Sequence, residues 1–156
     1  MHPRFTILLA VLPLLMAACG PVKGYTGPDR PASELANIQP NPYWSEIGIL
    51  VTGVDGMAVE ADMSLNVLAG SRTLRLQLQP YSRTELQQAG RAADQMDAMY
   101  DVEWQTTTEW TVDLSPGMNY ALAGIWQDSA FEVRLQDAKD KTVIDTREVQ
   151  AVRQGP

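Results

Sequence analysis

Hydrophobic and polar positions fall into three textures along the chain. Phe5 to Ala18 is an apolar run interrupted only by Thr6, preceded by Arg4 and bent by Pro13 near its middle. It is shorter than the roughly 18–20 residues needed to cross a hydrocarbon core and predicts the apolar core of a secretory signal. Residues 20–46 carry glycine, proline and asparagine too densely for a continuous helix or strand. They predict a semi-stiff tether, with one helical turn opening at Ala32 or Ser33 through Leu35 and Ala36. Tyr43-Trp44 at its end reads as an aromatic plug against the rim of the domain that follows.

From Ile47 onward the period shortens to that of strands. Ile47 to Val54 is closed by Asp55-Gly56, a hairpin turn pair, and Ser64 to Leu68 by Ala69-Gly70. In Arg72 to Gln79, Leu74, Leu76 and Leu78 fall on one face and Arg75, Gln77 and Gln79 on the other, the clearest half-buried strand in the chain. Tyr100 to Gln105 and Thr108 to Leu114 follow, the latter alternating Trp110, Val112 and Leu114 with Thr111 and Asp113. Tyr120 to Trp126 carries Gly124 as a bulge or kink, Phe131, Val133 and Leu135 alternate with polar residues, and Thr142 to Val149 comes last. The exception is residues 82–99. They are rich in Ala, Gln and Met, have helical spacing through Leu86, Ala89, Ala93, Met96 and Tyr100, and begin with Ser82 and Glu85 in capping-box form. The pattern predicts a mainly β domain over 47–152, a small antiparallel β-sandwich or partly open barrel, with one short helix at about 84–98.

Met16-Ala17-Ala18-Cys19 resembles the lipobox of bacterial lipoproteins, in which small residues precede an invariant cysteine. The pattern prefers leucine where Met16 stands. The resemblance implies cleavage after a signal peptide of residues 1–18 and lipid attachment at Cys19, with residues 19–46 as a lipidated tether. A single acyl chain holds a protein to a membrane weakly and two or more hold it stably. Gly20, rather than aspartate, follows the cysteine, which resembles the outer-membrane default and places the domain in the periplasm.

Composition narrows the chemistry. Removing residues 1–18 takes away Arg4 and no acidic residue, so 11 basic and 19 acidic residues remain, a formal charge of −8. An acidic chain without basic clusters is not built to bind nucleic acid, and membrane attachment falls to the lipid. The one histidine is His2, within the signal, and the one cysteine is Cys19. The remaining domain therefore lacks the imidazole and thiol needed for Ser-His-Asp or Cys-His nucleophiles, thiol redox chemistry and the usual zinc sites. No cofactor is expected, and no disulfide staples the fold.

Tyr25-x-Gly27-Pro28-x-Arg30-Pro31-x-x-Glu34-Leu35-Ala36-x-Ile38 resembles a segment that follows the lipid cysteine in a group of small bacterial lipoproteins. Further short matches are Val54-Asp55-Gly56, Val67-Leu68-Ala69-Gly70, Leu74-Arg75-Leu76 and Pro116-Gly117-Met118-Asn119-Tyr120, with an aspartate turn at Asp137. Ala69 and Arg72 stand where that group commonly has proline and histidine. The resemblance implies a lipid-anchored β-sandwich-like domain and brings neither an activity nor catalytic residues. Most of the shared residues are turn glycines and prolines, which backbone geometry explains.

Asp101, Glu103, Asp113 and Asp137 are the carboxylates available for glycoside cleavage, which needs two of them across a cleft. Most alternate with core positions and read as solvated outer-face residues. Asp137, Asp140 and Asp145 lack the spacing of an EF-hand calcium loop. Aromatic residues are the better binding material, and Tyr43, Trp44, Trp104 and Trp126 are the candidates for a binding surface. The expectation is a non-enzymatic envelope lipoprotein, a binding or structural module that meets the membrane through Cys19 and another envelope protein or a glycan through its domain. The alternative is a carboxylate-based hydrolase acting on an envelope glycan.

Overall fold

The computed structural model describes residues 20–81 and 104–154. The expected signal peptide, Cys19 and the expected helix at 84–98 lie outside the described residues. Within them run eleven strands: β1 (Val22–Lys23), β2 (Leu35–Pro40), β3 (Ile47–Val54), β4 (Met57–Ala61), β5 (Leu65–Leu68), β6 (Gly70–Pro80), β7 (Trp104–Leu114), β8 (Asn119–Gln127), β9 (Ala130–Asp137), β10 (Val143–Gln150) and β11 (Val152–Arg153). They form a six-stranded sheet in the order β1-β5-β2-β8-β9-β10 and a five-stranded sheet in the order β11-β7-β6-β3-β4. Two sheets around one core make a small β-sandwich, not a closed barrel.

The alternating residues do what their period requires. Leu74, Leu76 and Leu78 of β6, Trp110, Val112 and Leu114 of β7, and Phe131, Val133 and Leu135 of β9 all join one buried cluster with Ile47, Ile49 and Val51 of β3. Two of the hairpins close on two-residue loops with both φ positive, Asp55-Gly56 (49° and 81°) and Asp128-Ser129 (51° and 64°). That is the type I′ turn, whose twist matches that of the strands it joins.

The structure departs from the sequence reading at several places. Residues 20–46 are not a tether standing apart from the domain: β1 pairs with β5, and β2 lies inside the first sheet with Leu35, Ala36 and Ile38 buried. Proline and glycine flank these strands instead of interrupting them, and the expected helical turn shrinks to a 3-10 turn at Ala32–Glu34. The first sheet is mixed, because β1 runs parallel to β5 and β2 parallel to β8. β4 went unread because its burial alternates while its sequence, MAVEA, does not show it: the exposed Ala58 is as apolar as its inward neighbours. β7 is continuous from Trp104, its β-branched Thr106–Thr108 holding the extended form where two segments were expected.

Gly124 is not a bulge. The β8–β9 register passes through it unbroken, Gly124 opposite Val133. The glycine is required because Ile47 packs where a side chain would stand: a Cβ would lie 2.8 Å from Ile47 Cγ1 and 2.8 Å from the Glu132 carbonyl oxygen, with Ile47 Cδ1 nearer still. Gly124→Ala should therefore lower stability by about 1–3 kcal/mol, the cost of overpacking a filled core. Chemical denaturation reads this directly. Ile47→Val in the same chain should recover part of the loss, because it removes the Cδ1 atom that meets the new methyl.

Candidate functional site

The first sheet turns one face to the core and the other outward, and the outward face carries most of the polar chemistry. Its centre is made by the crossing from β2 to β3. Asn41 donates its backbone N–H to the Leu122 carbonyl at 3.1 Å, and Glu46 donates to the Gly124 carbonyl at 2.8 Å, so residues 42–45 arch between two points on β8. Side chains lock both feet. Asn41, at φ 53°, accepts from Ile49 N–H at 2.6 Å and donates to the Ile49 and Asp62 carbonyls at 2.7 and 3.1 Å. Ser45 Oγ accepts from Gly124 N–H at 3.0 Å and donates to the Ile47 carbonyl at 2.8 Å.

Tyr43 and Trp44 sit at the crown of this arch. Trp44 Nε1 donates to Gln136 Oε1 at 2.9 Å, and Gln136 is itself buried on the outward face of β9. The Tyr43 ring meets Trp44 edge-on at 4.9 Å and is 84% exposed. Lys141, in the turn after β9, lays its ammonium 4.4 Å from the Trp44 ring and 5.2 Å from the Tyr43 ring, and donates to Tyr43 Oη at 3.3 Å. Such placements over an aromatic face contribute about 0.5–1 kcal/mol when exposed. Among the described residues no carboxylate pairs with Lys141.

Beside this cluster runs a row of amides. Asn66, Asn37 and Asn119 stand in register across β5, β2 and β8. Asn37 Nδ2 donates to Asn66 Oδ1 at 2.9 Å and to Ser64 Oγ at 2.8 Å. A cleft of about 290 Å³ opens over Asn37, Asn66 and Asn119 beside Gly117 and Met118. Asn119 lies two residues, about 7 Å, along β8 from Ala121, whose register partner is the Gln136 that holds Trp44. The amide row and the aromatic crown are therefore neighbours on one face.

Trp104 and Trp126 lie elsewhere. Trp126 packs at a tilt of 47° against the fully buried Phe131 (4.7 Å between ring centroids) and against Trp104 (5.9 Å), at the margin of the core. The carboxylates are also dispersed. Asp113 pairs with Ser71 in the second sheet, and Asp137, at the end of β9, accepts from Lys139 N–H at 2.7 Å. Asp101 and Glu103 lie outside the described residues. Asp140 and Asp145 accept from the N–H groups of Thr142 and Thr146, and no cluster of metal-ligating side chains occurs among the described residues. One acidic pair was missed. Glu132 and Glu148 face each other across β9 and β10, over a groove of about 370 Å³. Their juxtaposition depends on strand register. They share one sheet face instead of opposing across a cleft, and Glu132 is paired with Arg134.

A third cleft, of about 200 Å³, lies at the Asp55-Gly56 turn and is closed by a structural clasp. Arg72 donates to Asp55 Oδ2 at 2.8 Å and to the Leu68 and Ala69 carbonyls at 3.0 and 2.8 Å, and Thr73 N–H donates to Asp55 Oδ1 at 2.9 Å. Partial burial pulls the Asp55 carboxyl upward, but the Arg72 and Thr73 hydrogen bonds and the Arg72 charge outweigh it and hold the group below its ordinary value of 3.8. These polar atoms are used up within the fold. No protein-family profile, curated protein or solved structure matches the chain.

Because the folded pKa of Asp55 is depressed, its contribution is present above the ordinary value of 3.8 and is lost as pH falls through the lower folded value. Asp55→Asn should therefore destabilise the protein at neutral pH and flatten the acid limb of stability below about pH 4. Denaturant midpoints between pH 2 and 7 measure it. An unchanged acid limb would assign that limb to other carboxylates.

Proposed function

We propose that the chain is a non-enzymatic lipoprotein of the bacterial envelope, cut before Cys19, anchored by lipid to the outer membrane and facing the periplasm. Its outward sheet face binds an envelope glycan that carries anionic groups. The single observation behind this reading is the rigid Tyr43–Trp44–Lys141 crown beside the Asn66–Asn37–Asn119 row. A glycan chain presents hydroxyls that both donate and accept, and side-chain amides answer both roles. Its C–H faces pack on an exposed aromatic ring such as Tyr43. A carboxylate or phosphate on it would meet the Lys141 ammonium, which no carboxylate pairs with among the described residues. A protein partner would call for a broader apolar area, whereas the exposed apolar side chain within this cluster is Tyr43 alone. The lipoprotein part of the reading is supported by the run from Arg4 to Cys19 and by the absence of a basic patch that would serve in its place.

Two measurements test this. Radiolabelled palmitate should enter the wild-type protein and not Cys19→Ser, which should leave the membrane fraction. In binding to isolated peptidoglycan and to lipopolysaccharide, Tyr43→Ala and Asn37→Ala should each weaken one of the two by roughly tenfold, about 1.4 kcal/mol. Thr107→Ala, on the exposed face of the second sheet, should leave binding unchanged. Equal affinity in wild type and Tyr43→Ala would remove the crown from the binding surface.

A further inference from the structure

The N-terminal arm is fastened to the first sheet along its length. Val22 N–H donates to the Ser64 carbonyl at 2.7 Å and Gly24 N–H to the Asn66 carbonyl at 2.8 Å. Gly24 lies so close to β5 that a Cβ there would stand 2.8 Å from Val67 Cγ1 and 3.0 Å from Leu65 Cδ1. Beyond it, Lys23 Nζ reaches the Gly27 carbonyl at 2.6 Å and Asp29 at 3.0 Å while lying over the Tyr25 ring, and Tyr25 Oη accepts from Arg30 N–H at 3.3 Å. The Tyr25–Pro31 motif thus folds the arm onto itself and leaves no slack from Val22 onward.

Cys19 precedes Val22 by three residues, at most about 10 Å of extended chain. An acyl group there cannot hold the domain at a distance. The turn between β4 and β5 flanks this exit: Ser64 accepts from Val22, and its neighbour Met63 is 70% exposed. β4 packs beside β1, so both sheets end on this side. The opposite margin of the first sheet is β10, five strand spacings or about 24 Å from β1.

We propose that the β1 edge of the sandwich is its bilayer-docking surface: lipid on Cys19 draws this edge onto the headgroups, Met63 enters among them, and the first sheet stands edge-on with β10 farthest from the membrane. This rests on the lipidation of Cys19. It requires no anionic lipid, because the one basic residue of the edge, Lys23, is engaged by Asp29.

The test uses the full-length lipidated protein in vesicles of phosphatidylethanolamine and phosphatidylglycerol, with bimane attached at Met63→Cys or at Thr146→Cys on β10. Lipidation occupies the Cys19 sulfur, so each variant has one free thiol. Lipids with a nitroxide near the headgroup should quench the label at 63 several-fold more than the label at 146. Inserting twelve Gly/Ser residues between Gly20 and Pro21 should bring the label at 63 down to the level of 146 while the protein still floats with the vesicles. Equal quenching at the two positions before the insertion overturns the docking, and quenching at 63 that survives the insertion overturns the short leash as its cause. A wild-type protein that does not float with vesicles overturns the anchor itself, which is a separate result.

Discussion

Backbone hydrogen bonds from Asn41 and Glu46 to β8 fix the place where the chain leaves the first sheet for the second. Most other features depend on that crossing. A bare backbone at Gly124 lets Ile47 enter the core directly after the arch, so β3 starts deep and its whole length can pack on the first sheet. The same two feet hold the backbone on either side of the crown before any ligand arrives, through Asn41 and Ser45. A surface loop that carries an aromatic ring usually sacrifices ordering entropy when it grips a ligand. Here the backbone part of that ordering comes with the fold.

The strands that were legible in the sequence are those with one wet and one dry face. β6, β7 and β9 alternate cleanly because side-chain direction alternates by geometry, and the buried member of each pair could be named from the pattern. β2 was not legible. Its apolar content is Leu35, Ala36 and Ile38, bounded by Pro31 and Pro40, and local composition argued for a tether. What decides its state is non-local: a gap between β5 and β8 that only an extended segment can fill. Parallel pairing was out of reach for the same reason, since no turn links the partners.

The candidate site shows the same division. Tyr43 and Trp44 were picked out as aromatic residues in an irregular stretch, but their value depends on Gln136 and Lys141, which lie more than ninety residues away and have no motif of their own. Trp104 and Trp126 carried an equal signal and went to the core end, because an indole at a strand terminus can close the gap between two sheets. Sequence cannot separate these two fates. The asparagine row is a further case, since its three members are unremarkable singly and become a surface only through register.

The docking edge and the proposed binding face constrain one another. The face belongs to the sheet whose margin is β1, so a domain held by that margin has the face standing roughly perpendicular to the bilayer, open to the side. Against an anionic surface, a domain of formal charge −8 would lean away, and an arm with no slack turns that repulsion into upright orientation instead of distance. Reach is then set by the fold. The crown lies on β8 and β9, about three to four strand spacings or 14–19 Å from β1, so under the proposed anchor it would meet only material within a few nanometres of the membrane. A polymer that extends into that layer satisfies the constraint, and a small solute would gain nothing from it. The short leash thus favours a glycan fixed in the envelope over one free in the periplasm, independently of the amide and aromatic chemistry that first pointed there.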